Sequence, residues 1–368
     1  MMDQIFNSYK IKYTILDDLF NSSDIPFNKK RTVNIFINLD WVFKNLFTDF
    51  RDKTVRASSK YVLYEPVSNI VNIAAHYRQY FTRNKMYSRV ILYSSNMTSF
   101  DKMRNRMFIP NYRDNYNRSI GKPDLLFIRK LLIEAIPLSK LILEYIDDVY
   151  YVSTNELEPS VIPSIIYNKF SPDDINLLVT KDKYEYQYIN KGFAILRPKK
   201  EESYLITKNN LYDALCNESK IKFEKYKNLN TNFYSFIYAL SGDMTRNITK
   251  IKNIGPATAM KLLQEGITKG FITNDDKMNI ILLLNVISAE YRDMIYRNYN
   301  VVDIDTQLNI PSSILINIES QLVNRYDNPS LMKINNDYFN NQPLMLMELT
   351  EAYYFKNKNL NSNKIKLF

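Results

Sequence analysis

The chain has 368 residues, with 49 basic and 39 acidic side chains, a net charge of +10, 45% hydrophobic residues and 24% charged ones. That length allows one large domain or two ordinary ones, and the balance is that of a soluble globular chain, not a disordered one. One cysteine (Cys216) excludes an intramolecular disulfide and fits a reducing compartment, and one histidine (His76) excludes zinc sites built from several His and Cys ligands.

The six glycines leave no Gly-rich phosphate loop. No stretch approaches the roughly 20 apolar residues that cross a bilayer, and the N-terminus lacks a signal-type apolar core. The excess of positive charge makes a polyanion the first partner to consider.

Residues 1–30 read as an N-terminal extension. Beyond them, apolar runs at 34–39, 89–94, 149–152, 175–180 and 193–198 predict short buried strands. Ile70, Ile73, Ala74, Tyr77 and Phe81 follow helical spacing, as do Leu131, Leu132, Ala135 and Leu138. Strands alternating with helices predict an α/β fold over 31–205, a parallel sheet flanked by helices, with ligands at the carboxyl ends of the strands. The positions to inspect are therefore Asn38 to Asp40, Ser94 to Asn96, Ser153 to Ser160 and Thr180 to Asp182. A basic run at about 98–122 carries Lys102, Arg104, Arg106, Arg113, Arg118 and Lys122, with Phe108, Tyr112 and Tyr116 between them. Such a mixture suits single-stranded nucleic acid, the alternative being a solvated helix with core-facing aromatics.

From about 206 to 345 the pattern turns helical, with one stripe at Phe233, Phe236, Ile237 and Leu240 and another at Ile280 to Ile287. Residues 248–266 predict two short helices joined by a tight hairpin at Gly255-Pro256, with Ala259 at their contact. The start of the second helix would face a phosphate, helped by Lys250, Lys252 and Lys261. The plain alternative is a helical hairpin whose glycine only caps the first helix. Residues 346–368 form a basic tail whose last stretch, 356–368, is polar and ends in Leu367-Phe368. His76 reads as a structural histidine on an amphipathic helix, and Cys216 as a small core residue.

In this order and spacing the segments 104–118, 157–170, 180–187, 242–248 and 248–266 resemble the 5′-nuclease (flap endonuclease, PIN-like) family, especially its T-even bacteriophage ribonuclease H members. The likeness runs from about residue 30 to residue 340. It implies a PIN-like sheet, a basic arch at 98–122 and a C-terminal helical region with a helix–hairpin–helix at 248–266. In that family two divalent metals held by a carboxylate cluster cleave phosphodiesters. Nine acidic positions of the family fall here on Asn38, Ser95, Glu158, Ser160, Val161, Asp182, Tyr184, Asp243 and Arg246.

Glu158, Asp182 and Asp243 are thus the residual metal-ligand candidates, and the six other positions hold no acid. Shifted acids at Asp40, Asp101, Glu156 or Glu185 would be needed to rebuild the site. The resemblance further makes Arg104, Arg106, Arg113, Arg118, Lys250, Lys252, Gly255 and Lys261 the DNA-binding candidates. Arg113 stands where the family has an arch lysine, and Asn253 where its hairpin has an earlier glycine.

The expectation is a viral, bacteriophage-type pseudonuclease in the infected host cell's cytoplasm, with virion association left open. It would bind flap, forked or single-stranded DNA without needing a cofactor, as a structural or recruiting subunit of a replication or other nucleic-acid-processing assembly with other viral proteins. One alternative is an active Mg²⁺- or Mn²⁺-dependent 5′–3′ exonuclease or flap endonuclease with relocated ligands. Another is a protein scaffold that binds no DNA. Leu367-Phe368 also resembles the end of sliding-clamp-binding peptides.

Overall fold

The computed structural model describes residues 31–40, 42, 61–83, 86–95, 103–112, 135–143, 148–198, 203–214, 231–270 and 289–322. Strands β1 (Thr32–Asn38), β2 (Tyr87–Ser95), β3 (Val149–Thr154), β4 (Ile175–Val179), β5 (Phe193–Arg197) and β6 (Tyr204–Ile206) form one sheet in the order β3-β2-β1-β4-β5-β6. All neighbours are parallel except β5 and β6. Each of the five strands expected from apolar runs is present. The sixth, β6, has three residues and is too short to show a period in the sequence.

Helix α1 (Tyr61–Arg83) crosses from β1 to β2, and α2 (Met103–Phe108) follows β2. Residues 135–143 are also helical. A tight turn at Pro159–Val161 leads into α3 (Ile162–Ile166), and a longer 3₁₀ segment, Lys183–Lys191, joins β4 to β5. The helical region contributes α4 (Tyr234–Ser241), α5 (Pro256–Thr268), α6 (Arg292–Val302) and α7 (Ser312–Glu319).

The sheet is buried on both faces, as a parallel sheet must be. Val33, Ile35 and Ile37 of β1 point into a core with Val90 and Leu92 of β2 and with Ile70, Ala74 and Tyr77 of α1. Phe36, Ile91 and Leu178 point the other way, into a core shared with Phe233, Phe236, Ile237 and Leu240 of the helical region. The stripe expected at 233–240 is therefore a packing stripe. Sheet and helical region are joined by one continuous apolar contact.

The hairpin differs from expectation. Residues 249–255 contain no helix, so only its second half, α5, is helical. The reason is local. Ile248 exchanges backbone hydrogen bonds with Asp243 at 2.8 and 2.9 Å, and Asn247 and Asn253 adopt left-handed conformations with φ of 58° and 64°. These interrupt the helical run, and Asn253 supplies the turn that the family gives to glycine, since Asn tolerates that region. Gly255, by contrast, has φ −103° and open space where a Cβ would stand, so its conformation does not require glycine.

The extension 1–30, the tail 346–368, Asn96, Asp101, Lys102, Arg113, Tyr116, Arg118, Lys122, Leu131, Leu132, Cys216 and Ile280 to Ile287 lie outside the described residues.

Candidate functional site

Chain order reverses between β1 and β4, and it is at the carboxyl ends of strands at such a reversal that open α/β sheets place their ligand crevice. Side chains two apart on a strand share a face. Asn38 therefore follows Phe36, Tyr93 and Ser95 follow Ile91, and Thr180 follows Leu178, all toward the helical region.

These residues meet a buried acid. Glu185 Oε1 accepts from Asn38 Nδ2 at 2.9 Å and from the Tyr93 hydroxyl at 2.7 Å. Glu185 is fully buried, and the Thr180 side chain adds a further hydrogen bond that favours its charged form. Burial, reinforced by the nearby Asp182 charge, pushes its carboxyl up to about 8. Of the shifted acids, Asp101 lies outside the described residues, while Glu185 is placed as a core acid at these strand ends.

The two retained loop acids sit above it. Asp182 caps the 3₁₀ segment, its Oδ1 accepting from the Tyr184 amide at 3.0 Å, while its Oδ2 is paired with the Arg246 guanidinium. That guanidinium lies 3.8 Å from the centre of the Tyr184 ring and is only 8% exposed as a residue. Burial disfavours its charge, yet Asp182 and other neighbours more than compensate and raise its pKa.

Asp243 accepts from the Thr245 amide and hydroxyl at 2.9 and 2.7 Å, from the Tyr184 hydroxyl at 3.0 Å, and pairs with Lys183 at 3.2 Å. Burial pushes the Asp243 carboxyl up, but Lys183, Thr245 and Arg246 prevail and hold it below its usual value. Lys183 also lies 4.5 Å from the Tyr238 ring centre. Gly242 makes this loop possible: its φ is +67°, and a Cβ there would stand 2.5 Å from the Lys250 backbone nitrogen.

Glu158 is buried at the entry to the Pro159–Val161 turn, and its charge acts on Arg246. Ser160 and Val161 are buried in that turn, and the Ser160 carbonyl accepts from the Tyr188 hydroxyl at 2.6 Å. At the end of β2, Ser95 donates from its amide and hydroxyl to Asp40, both at 3.3 Å. Asp40 does not extend β1. It begins a helical turn that Asn38 caps, the Asp40 amide donating to Asn38 Oδ1 at 2.9 Å. Glu156 turns back on Thr154, accepting from its hydroxyl at 3.0 Å.

A divalent metal of the Mg²⁺ class needs several hard oxygen donors with uncompensated negative charge. No group of three or more His, Cys, Asp or Glu side chains is placed to hold one among the described residues. Asp182 and Asp243 already face Arg246 and Lys183. This donor set does not fit a carboxylate-bound metal pair. Sequence reasoning flags Arg246 as a lost ligand but misses its pairing with Asp182, and it misses Tyr93 altogether. Opposite charges at two positions that should ligate one ion are the available signal for the first.

Among the described residues, two of the basic candidates lie on α2 and three around α5. Arg106 of α2 is half-buried and donates to the Tyr112 carbonyl at 3.4 Å. Arg104 lies on the same helix. Tyr112 is fully buried and Phe108 packs against the core, so these two aromatics are packing residues and not an open stacking platform. Lys250, Lys252 and Lys261 are exposed, Lys261 with Glu265 3.6 Å away one helical turn on. Gly255 caps the start of α5. The structure thus brings Asp182 and Asp243 into one crevice with Glu158 at its edge, and places the lysines on the surface around α5.

No protein-family model matches the chain, and no curated protein does. Among solved structures it is similar to a flap endonuclease of bacteriophage T5, in a pseudo-enzyme–product complex with DNA and metal ions. That match has a TM-score of 0.51 and 13% identity, and covers 79% of this chain and 97% of that one. The same phage protein co-crystallised with metal ions matches at a TM-score of 0.51 and 12% identity, with coverage of 79% and 97%. The mostly parallel sheet, its strand order, the crevice at the β1–β4 reversal and these similarities together give the chain the fold of the 5′-nucleases.

Proposed function

We propose that the protein binds branched or single-strand-bearing DNA without cutting it efficiently, as a pseudonuclease. The observation that carries this reading is the Arg246 guanidinium, paired with Asp182 where the 5′-nuclease resemblance calls for metal-binding acids. A cation fixed there opposes metal entry, and without metal the fold has no means of generating hydroxide beside a phosphodiester. DNA binding is supported by the net charge of +10, by the exposed Lys250, Lys252 and Lys261, and by the DNA-bound state of the phage T5 relative. The arch arginines, Arg104 and Arg106 with Arg113 and Arg118, form the second contact in this reading. The wider role in this reading is that of a structural or recruiting subunit in a viral nucleic-acid-processing assembly in the host cytoplasm, with Leu367-Phe368 as a clamp-binding end.

The test is a labelled 5′-flap DNA incubated with purified protein, with and without Mg²⁺ or Mn²⁺, with binding and cleavage scored together. We expect binding in every tube and cleavage in none. Metal-dependent cleavage abolished by Asp182→Ala would sink the pseudonuclease reading in favour of a nuclease with relocated ligands. Absence of DNA affinity would leave the protein-scaffold reading. Charge reversal at Lys250, Lys252 and Lys261 together is expected to weaken flap binding by roughly tenfold or more, because exposed lysines act mainly on phosphate.

A further inference from the structure

Two acids and two cations alternate across the crevice. Asp182 follows β4 and Asp243 precedes the hairpin, 61 positions apart in sequence. Arg246 reaches from the hairpin side to Asp182, and Lys183 reaches from the β4 side to Asp243 at 3.2 Å. The two ion pairs therefore run in opposite directions between the same two segments. Tyr184 ties the arrangement together, its ring under the Arg246 guanidinium at 3.8 Å and its hydroxyl on Asp243 at 3.0 Å. A metal held between carboxylates of separate segments would make the same connection, by cancelling their repulsion and binding both.

We infer that Arg246 and Lys183 are built-in replacements for a divalent cation, cross-linking the end of β4 to the hairpin segment and making this crevice indifferent to metal. Arg246 is covalently attached, stacked and almost wholly shielded from water, so its local concentration at Asp182 far exceeds that of any dissolved ion. A divalent ion would have to expel a buried guanidinium, and that guanidinium would then lose its partner in a poorly solvated place. Asp182 and Asp243 each already hold a cation of this chain, so neither offers a metal an uncompensated carboxylate. The inference rests on the pseudonuclease reading, and its test contains no DNA, so its failure is separable from failure of the DNA-binding reading.

The full chain is melted in EDTA and in millimolar Mg²⁺ or Mn²⁺, together with Arg246→Met, Asp182→Asn and the double variant. The expected result is one Tm for the unmodified protein in all three solutions. Each single variant should melt several degrees lower, and the double variant should recover part of the combined loss, because neither charge is left alone. Stabilisation of the unmodified protein by Mn²⁺ that disappears in Asp182→Asn would overturn the inference. So would an unchanged Tm for Arg246→Met, or strictly additive losses in the double variant. If a single variant fails to fold, the metal comparison on the unmodified protein and the double variant still decide.

Discussion

A carboxyl without water around it keeps its proton, and at Glu185 this sets a pH dependence of known sign. Its pKa is about 8 in the fold against an ordinary 4.5, so between those values the folded state binds more protons than the unfolded one. Stability contributed at this position is complete below the ordinary value and falls as pH rises toward 8. Asp243 acts in the opposite sense: its carboxyl is held down in the fold, so its contribution is present above the ordinary value and lost on acidification. Glu185→Gln imitates the protonated acid toward Asn38 and Tyr93. Urea midpoints at about pH 5 and about pH 8.5, on either side of the titration, should differ less for this variant than for the parent. An equal fall in both would show that Glu185 is not the titrating group. Little of this was legible in the sequence. Asp182, Asp243 and Glu158 announce themselves as carboxylates at expected spacing, but a tyrosine on a strand is indistinguishable from packing until its hydroxyl is found on Glu185.

At the scale of elements, the strands were legible because a strand buried on both faces must be an apolar run, and each run carries β-branched or aromatic residues. The first half of the hairpin was not, for the converse reason. Ile248, Ile251 and Ile254 have helical spacing, but their common direction comes from a bridge and two turns: Ile248 pairs with Asp243, and the Ile251 amide donates to the Leu240 carbonyl at 3.1 Å. Apolar periodicity reports which residues face the core and not which backbone brings them there. Gly242→Ala tests the turn. A φ of +67° with ψ near 180° is a glycine conformation, and the added methyl would meet the Lys250 backbone, so a loss of about 1–3 kcal/mol or more is expected in a urea melt. A second element-level device is invisible in the sequence. The Gln321 side chain, just past α7, donates to the Ser153 carbonyl at 2.9 Å and accepts from the Ser153 amide at 3.0 Å, occupying the outer edge of β3. It also accepts from Lys140 at 2.6 Å. Gln321→Ala should cost about 1–2 kcal/mol, through loss of these hydrogen bonds, by the same measurement.

Over the whole molecule, charge and crevice have parted company. The chain carries +10 overall, yet the two acids of the crevice are locally matched. Any attraction for a polyanion therefore originates in outlying lysines and arginines. Flap-DNA affinity should then fall steeply and linearly on a log–log plot against salt, with the same slope in EDTA as in Mg²⁺ once ionic strength is matched. The sheet order has a consequence of another kind, for the birth of the protein. β1 lies at the centre, and its two partners arrive in turn: Ile35 pairs with Val90 of β2 and, on its other side, with Leu177 of β4. A ribosome adding about 5–20 residues per second needs roughly 7–30 s to travel from the first of these strands to the last. Throughout that interval Val33, Ile35, Phe36 and Ile37 have one open flank and no second neighbour to close it. Among the six strands β1 is thus the first made and the one that waits longest for its second partner.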